Sequence, residues 1–221
     1  MLLWKHSGKA LRLNNERLLW TPAETPAPLD QAAWFGRQAP LGLDLGCGTG
    51  RFLVRMAARH PGWNWLGVEQ SLKYARISAW KIERAGLAHA RVLCAGARGV
   101  LGALLPPGSA SAAFVLFADP WFKKRHLKRR LIDSGFAAAL ARALRPGAPL
   151  HIKTDIADYH RQILTAFAGS PHFRPLPPEE AFTLAPAWDG ILTNYERKAL
   201  AAGRRIYYLG FIRNEKDGGC S

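Results

Sequence analysis

Hydrophobic and polar positions along this chain switch between two periods. Short apolar runs at residues 41–45, 63–68, 91–94, 112–117, 150–153 and 206–212 predict buried strands. Between them the spacing is helical. In 51–59, Phe52, Leu53 and Met56 share one face, and Pro61-Gly62 stops the helix. Further helices are predicted over 72–85, with Gly86 near its end, over 98–105, stopped by Pro106-Pro107, over 134–144, with Ser134 as a cap, and over 156–167. Asp155 stands where it could cap the last of these. Strands alternating with helices predict an α/β fold, a mainly parallel sheet with helices on both faces. Ligands of such sheets sit at the C-terminal ends of the strands. Asp44 with Gly46, Glu69, Asp119 and Asp155 all fall at such ends.

The flanks are less regular. Residues 1–38 are rich in Trp, Arg, Asn and Pro, and their first seventeen carry Lys5, His6, Lys9, Arg12 and Arg17 against Glu16. They read as a basic arm and connector, proline-rich over 21–29 with a short helix around 29–35, ahead of a domain spanning 39–221. Residues 173–184 are proline-rich and ambiguous, and 214–221 read as a tail. A 221-residue chain that is 48% hydrophobic and 21% charged builds a substantial core. Its Lys+Arg count of 31 against 16 Asp+Glu gives +15, which draws a polyanion from a distance. Cys47, Cys94 and Cys220 are too far apart for zinc or redox spacing, so no metal is expected and a reducing compartment is. No hydrophobic run approaches a membrane span, and the first residues lack a signal-peptide core. A cytoplasmic protein with no membrane partner is the expectation; monomer and homodimer stay open.

The run Leu41-Gly42-Leu43-Asp44-Leu45 enters Gly46-Cys47-Gly48-Thr49-Gly50, a helix follows, and the next strand ends at Glu69. The glycines let main chain approach a ligand closely and turn helix amides towards it. Glu69 lies nineteen residues past Gly50, the distance at which a second-strand carboxylate reaches ribose hydroxyls. The loop is Gly-x-Gly-x-Gly rather than the dinucleotide Gly-x-Gly-x-x-Gly, so a pyrophosphate is not specially called for. With Asp44 just before it, the unit resembles the S-adenosylmethionine (SAM) site of class I methyltransferases. That resemblance implies that Asp44 supports the methionine moiety, Glu69 holds the ribose, and Gly46, Gly48 and Gly50 shape the cradle. Cys47 reads as a small packing residue.

The fourth apolar run delivers Asp119-Pro120-Trp121-Phe122, and six cations follow in the eight residues Lys123 to Arg130. A carboxylate and a flat ring suit something flat and polar; the cation cluster suits a polyanion. Nucleobase plus phosphate backbone meets both demands. Lys124, Arg125, Lys128, Arg129 and Arg130 are the candidate phosphate contacts. Trp121 reads equally as a platform for an extruded base or as packing under a basic helix.

Three segments resemble the bacterial tRNA (guanine-N7-)-methyltransferase family: Phe117 to Trp121 running into Lys123 to Arg130; Thr154-Asp155 with Tyr159; and Thr193-Asn194-Tyr195-Glu196-Arg197-Lys198 with Gly203 and the strand beyond. With the glycine loop, the likeness covers roughly 41–213. It implies a Rossmann-like class I methyltransferase with a seven-stranded sheet, SAM as cofactor, and methylation of N7 of a guanosine at position 46 of the tRNA variable loop. By the same resemblance Asp119 lies beside methyl donor and guanine, as catalytic residue and SAM contact, while Lys123, Asp155, Thr193, Asn194, Tyr195 and Glu196 contact the tRNA.

Guanine N7 carries a free lone pair at neutral pH, so the enzyme need only align N7, methyl and sulfur. Asp119, Asp155 or Glu196 could accept from guanine N1–H and N2–H. Read without the resemblance, Thr193 to Arg197 is a helix start with a capping hydroxyl. The chain departs from the family at Gly96, where an acid usually meets the adenine amino group, at the loop 45–50, and at Asn194, where lysine is frequent. Those departures keep two alternatives in view: a SAM-dependent enzyme acting on another nucleic-acid target such as an exocyclic amine, and a diverged RNA-binding paralogue with weak SAM binding.

Overall fold

The computed structural model describes residues 2–6, 9–15, 18–21, 28–177, 180, 186–188 and 190–215. The chain divides into two compact units, Met1–Pro106 and Pro107–Ser221.

In the first unit, β1 (Leu2–His6) and β2 (Lys9–Leu13) form an antiparallel pair. The remaining elements are β3 (Leu19–Trp20), α1 (Gln31–Phe35), β4 (Leu41–Leu45), α2 (Arg51–Arg59), β5 (Asn64–Val68), α3 (Leu72–Arg84), β6 (Ala90–Leu93) and α4 (Ala97–Gly99). The four strands β3-β6-β5-β4 lie in that order, all parallel. Every residue of β4 and β5 is buried, as a near-continuous apolar strand of a parallel sheet requires. In α2 the buried residues are Phe52, Leu53, Met56 and Ala57, one face of the helix.

The stretch expected as an arm is tied in at several points. β3 pairs with β6, Leu29 N donates to Leu104 O at 2.7 Å, and Trp20 stacks on buried Trp34 at 4.8 Å. The amides of Asn14 and Asn15 donate to the Glu83 carboxylate at 2.9 and 2.6 Å. The expected short helix is α1, capped by Asp30 and closed by Gly36. The side chains of Lys5, His6, Lys9 and Arg12, and residues Glu16 and Arg17, lie outside what the structure describes, as does Cys220.

The second unit contains β7 (Ala112–Leu116), a 3-10 helix (Lys124–Arg129), α5 (Ser134–Ala143), β8 (Pro149–Thr154), α6 (Ala157–Ala168), β9 (Phe173–Pro175), α7 (Asn194–Ala201) and β10 (Tyr207–Arg213). Its strands run β7-β8-β10-β9; β7 and β8 are parallel, and β10 is antiparallel to both neighbours. Phe167 stacks on Phe211 at 4.2 Å, so α6 packs its apolar face on β10.

Several expectations need correction. Four sheet strands in each unit make eight, against the seven expected; the apolar pattern marked six, and the short β3 and β9, of two and three residues, escaped it. Ser134 does not cap α5. Asp133 does, its carboxylate accepting from Phe136 N at 2.9 Å. Asp155 caps nothing: Ile156 takes the cap position of α6 without a side-chain bond. The helix expected over 98–105 begins at Ala97 and passes into a π-helical turn, Val100–Leu104, which buries Val100, Leu101 and Leu104. The basic run read as a helix is of the 3-10 kind over Lys124–Arg129.

Candidate active site

Within the first unit, main-chain geometry builds a cradle. Gly46, Gly48 and Gly50 all have left-handed backbones, with φ of 85°, 54° and 73°. Gly50 is doubly constrained, because a Cβ there would stand 2.1 Å from Ser78 Oγ. At Gly46 and Gly48 a Cβ would meet nothing within 4 Å, so the loop faces open space. The loop is pinned from below by Gly46 N and Cys47 N, which donate to Val68 O at 2.8 and 3.1 Å. Lys81 Nζ holds its far side, donating to Thr49 O at 2.6 Å.

Two carboxylates flank the loop. Asp44, on β4, is buried, and the Leu53 amide hydrogen-bonds to it, while Oδ2 has no partner among the described residues. Burial first, and the negative charge of Glu69 second, push its pKa up to about 7 against the opposing pull of the Leu53 amide. Glu69 follows β5; Oε2 accepts from Gly48 N at 3.0 Å and Oε1 from Ser71 N at 2.8 Å. The same carboxylate that could reach a ribose thus also fixes the loop. Cys47 is buried and its thiol is pushed well above its ordinary pKa, first by burial and then by Asp44, so it stays protonated and packs. At Gly96 the exposed main chain carries no side chain to offer. A buried carboxylate oxygen lacking a partner, open space before three left-handed glycines and a second carboxylate with spare lone pairs suit the ammonium, main body and diol of SAM.

Within the second unit, the segment after β7 is bent unusually. Phe117 and Trp121 have φ of 59° and 43°, the left-handed region that bulky residues avoid. They bracket Asp119-Pro120. Asp119 is exposed and has no hydrogen bond or ion pair among the described residues. Arg130 explains how the bend is held. It is 4% exposed, donates from Nε to Pro120 O at 2.7 Å and from Nη1 to Gln162 Oε1 at 2.8 Å, and pairs with Asp158 at 2.9 Å. Arg130 is therefore removed from the phosphate contacts: its guanidinium is buried and committed to the turn beside Asp119.

The rest of the basic run is outside. Lys123, Lys124, Arg125, Lys128 and Arg129 are exposed. Arg129 lies over the Trp121 ring at 5.1 Å and His126 meets that ring edge-on at 5.7 Å, so Trp121 packs under the basic helix. Phe122, not singled out by the sequence, is 71% exposed and free to stack.

The segment 193–196 divides by role. Thr193 caps α7, its hydroxyl accepting from Glu196 N at 2.9 Å. Asn194 and Tyr195 are exposed. Glu196 is 3% exposed and forms a buried ion pair with Lys153 of β8, whose ammonium also lies 4.6 Å from the Trp188 ring. Asp155 is engaged as well: Arg204 Nη1 donates to Oδ2 at 2.6 Å, and the Tyr195 hydroxyl donates to Oδ2 at 3.2 Å. Tyr195 in turn touches Phe117, with ring centroids 4.9 Å apart. Of the three acids proposed for the guanine edge, Asp155 is thus engaged by Arg204 and Tyr195, and Glu196 commits Oε1 to Lys153 while its buried Oε2 has no partner among the described residues. Lys153, Arg204 and the inward turn of Arg130 carry no motif signal. Among the described residues no three His, Cys, Asp or Glu side chains gather as a metal site, and no helix is long and apolar enough to cross a membrane.

Solved structures with the same architecture include the 16S rRNA methyltransferase KamB, with a TM-score of 0.58 at 19% identity over 85% of this chain and 95% of that one. A 16S rRNA (adenine(1408)-N(1))-methyltransferase from Catenulisporales acidiphilia gives 0.55 at 19% identity, covering 88% and 96%. The fold is that of class I SAM-dependent methyltransferases.

The family model described as "Putative methyltransferase" matches residues 38–209. A tRNA (guanine-N(7)-)-methyltransferase of Mycobacterium avium (strain 104) is 38% identical over 196 residues, 87% of this chain and 75% of that protein. One of Cereibacter sphaeroides (strain ATCC 17023) is 39% identical over 227 residues, 95% of this chain and 89% of its own. The chain belongs to the tRNA (guanine-N(7)-)-methyltransferase family.

Proposed function

We propose that this protein transfers a methyl group from SAM to N7 of a guanosine in tRNA, at position 46 of the variable loop as the family resemblance implies. The observation that carries the reading beyond family membership is Asp119: an exposed carboxylate without a partner among the described residues, set between two left-handed residues and followed by exposed cations.

When bound, SAM supplies a methyl group on a positively charged sulfur, ready for attack by a lone pair. The protein's own task is binding and alignment. Asp44 Oδ2 holds the ammonium of the methionine moiety, Glu69 holds the ribose hydroxyls, and the loop at Gly46, Gly48 and Gly50 admits the body of the ligand. Asp119 accepts from guanine N1–H and N2–H, both of which are donors. It has a second effect. As N7 takes the methyl, the purine becomes cationic, and a nearby carboxylate stabilises that developing charge. No general base is needed, because N7 has no proton to lose. Phe122 offers a face for the extruded base, and Lys123, Lys124, Arg125, Lys128 and Arg129 neutralise backbone phosphates.

The test is transfer of labelled methyl from SAM to unmodified tRNA, with the product mapped by strand scission specific for 7-methylguanosine. One cut in the variable loop is the expected result. Label without that cut moves the target to another atom or nucleotide. Retained tRNA binding with no label makes the chain an RNA-binding relative that has lost transfer, with Gly96 the first suspect.

A further inference from the structure

A second basic surface lies within the first unit, away from the run at 123–130 in sequence. A cleft of about 450 Å³ is lined by Arg51, Val54 and Arg55 of α2 and by Lys81, Arg84 and Ala85 at the end of α3. Four of its six lining residues are cations and none is acidic. Arg51 and Arg55 stand one turn apart on α2, and Lys81 and Arg84 one turn apart on α3. Like charges at such spacings destabilise the helices that carry them, so both helices hold a repulsion that a bound anion would relieve.

Two of the four cations, Arg55 and Arg84, meet no acid among the described residues. Glu83, the acid nearest on α3, takes the amides of Asn14 and Asn15. The Arg84 guanidinium lies over the Trp80 ring at 5.9 Å, which limits where it can point. Lys81 is half-buried, and burial first and the charge of Arg51 second lower its pKa; its ammonium is anchored on Thr49 O. A cleft with walls of one sign concentrates field.

We propose that this cleft seats backbone phosphates of the tRNA, as a docking site built by residues other than the run at 123–130. Guanidinium and ammonium groups only donate, so the site matches phosphate oxygens and cannot read the mixed donor and acceptor edges of bases. It adds affinity without sequence preference. The inference rests on tRNA being the substrate.

The test uses the full chain, an unmodified tRNA transcript and the double variant Arg55→Gln/Arg84→Gln. Both residues are exposed and neither touches the glycine loop, whereas Lys81 does and is left alone. Affinity for tRNA is measured across a salt series, beside SAM affinity, turnover at saturating tRNA and melting temperature. At moderate salt the double variant is expected to bind tRNA about tenfold more weakly. Its slope of log K against log salt should be shallower by about 1.5, for two phosphates at roughly 0.7–0.9 each. SAM affinity and saturated turnover should not move. The charge-keeping variant Arg55→Lys/Arg84→Lys should restore the slope. An unchanged slope in the glutamine variant, with the wild-type chain binding and methylating tRNA, overturns this site alone. Loss of SAM affinity instead makes the cleft part of the cofactor site and also overturns it. A wild-type chain that binds no tRNA overturns the functional reading and this inference together.

Discussion

The two units position their polar groups by opposite means. Around the glycine loop of Met1–Pro106 the main chain does the holding: left-handed glycines shape the loop, the amides of Gly48 and Ser71 fix Glu69, and the Leu53 amide meets Asp44. In Pro107–Ser221 side chains hold one another: Lys153 with Glu196, Arg204 and Tyr195 with Asp155, Arg130 with Gln162 and Asp158. A main-chain donor is not lost when its side chain is replaced. A side-chain network has no such reserve, because removing one member leaves another buried and unsatisfied. Single substitutions should therefore cost more in the second unit, except at Asp119, which has no partner among the described residues.

The largest effect tests that contrast directly. Lys153→Met strands the Glu196 carboxylate, and breaking a buried pair from one side costs about 3–5 kcal/mol. Adding Glu196→Leu should recover most of the loss, measured by urea unfolding. A single variant costing less than about 1 kcal/mol would mean that the pair behaves as a surface pair, and the contrast between the units would fail. Asp119→Ala comes next and separates activity from stability. Turnover should fall roughly 100-fold or more, as when one transition-state contact is removed, while unfolding shifts by less than about 0.5 kcal/mol, as at an exposed site. Near-normal turnover would remove Asp119 from the chemistry.

In the first unit the expected effect is a pH dependence. The Asp44 pKa stands at about 7 in the folded chain against an ordinary 3.8. The native state thus keeps a proton that the unfolded chain releases, so this group's contribution to stability falls as pH rises between those values and is level above about 7. Binding runs the other way. An ammonium needs the ionised carboxylate, so SAM affinity should weaken as pH drops through about 7, approaching about tenfold per pH unit below it, one proton per ligand. Asp44→Asn should bind weakly with a flat profile. A wild-type profile flat from pH 5.5 to 8 would take Asp44 off the ammonium.

The same division explains what could be read from the residues alone. The glycine loop was legible because its function needs particular main-chain shapes, and glycine is the residue that permits them; β4 and α2 run over the predicted residues. The second unit's motifs located the right segments but not which atoms remain available. Six cations in eight residues look alike as a sequence, yet Arg130 is 4% exposed beneath Pro120 while the other five face water. Asp155 looked like a helix cap or a base reader; it caps nothing, and it holds Arg204, forty-nine residues away. Partners at such separations follow from the antiparallel return of β10 beside β8, a pairing that hydropathy alone does not disclose. Glu196 was legible in part, since its place three residues after Thr193 does mark a helix start.

The smallest predicted effect asks whether Asp155 works through its network or on the substrate. Its side chain is 4% exposed, whereas that of Arg204 is 43% exposed, so solvent weakens the pair despite its 2.6 Å contact. Asp155→Asn and Arg204→Gln should each slow turnover only severalfold. If both act by holding Tyr195 and, through its ring, Phe117, the double variant should be no worse than Asp155→Asn alone, a coupling of about 1 kcal/mol. Additive losses would instead mean that Asp155 meets guanine independently of Arg204. The base edge would then be shared between two carboxylates, and Asp119 would lose the standing that its isolation gives it.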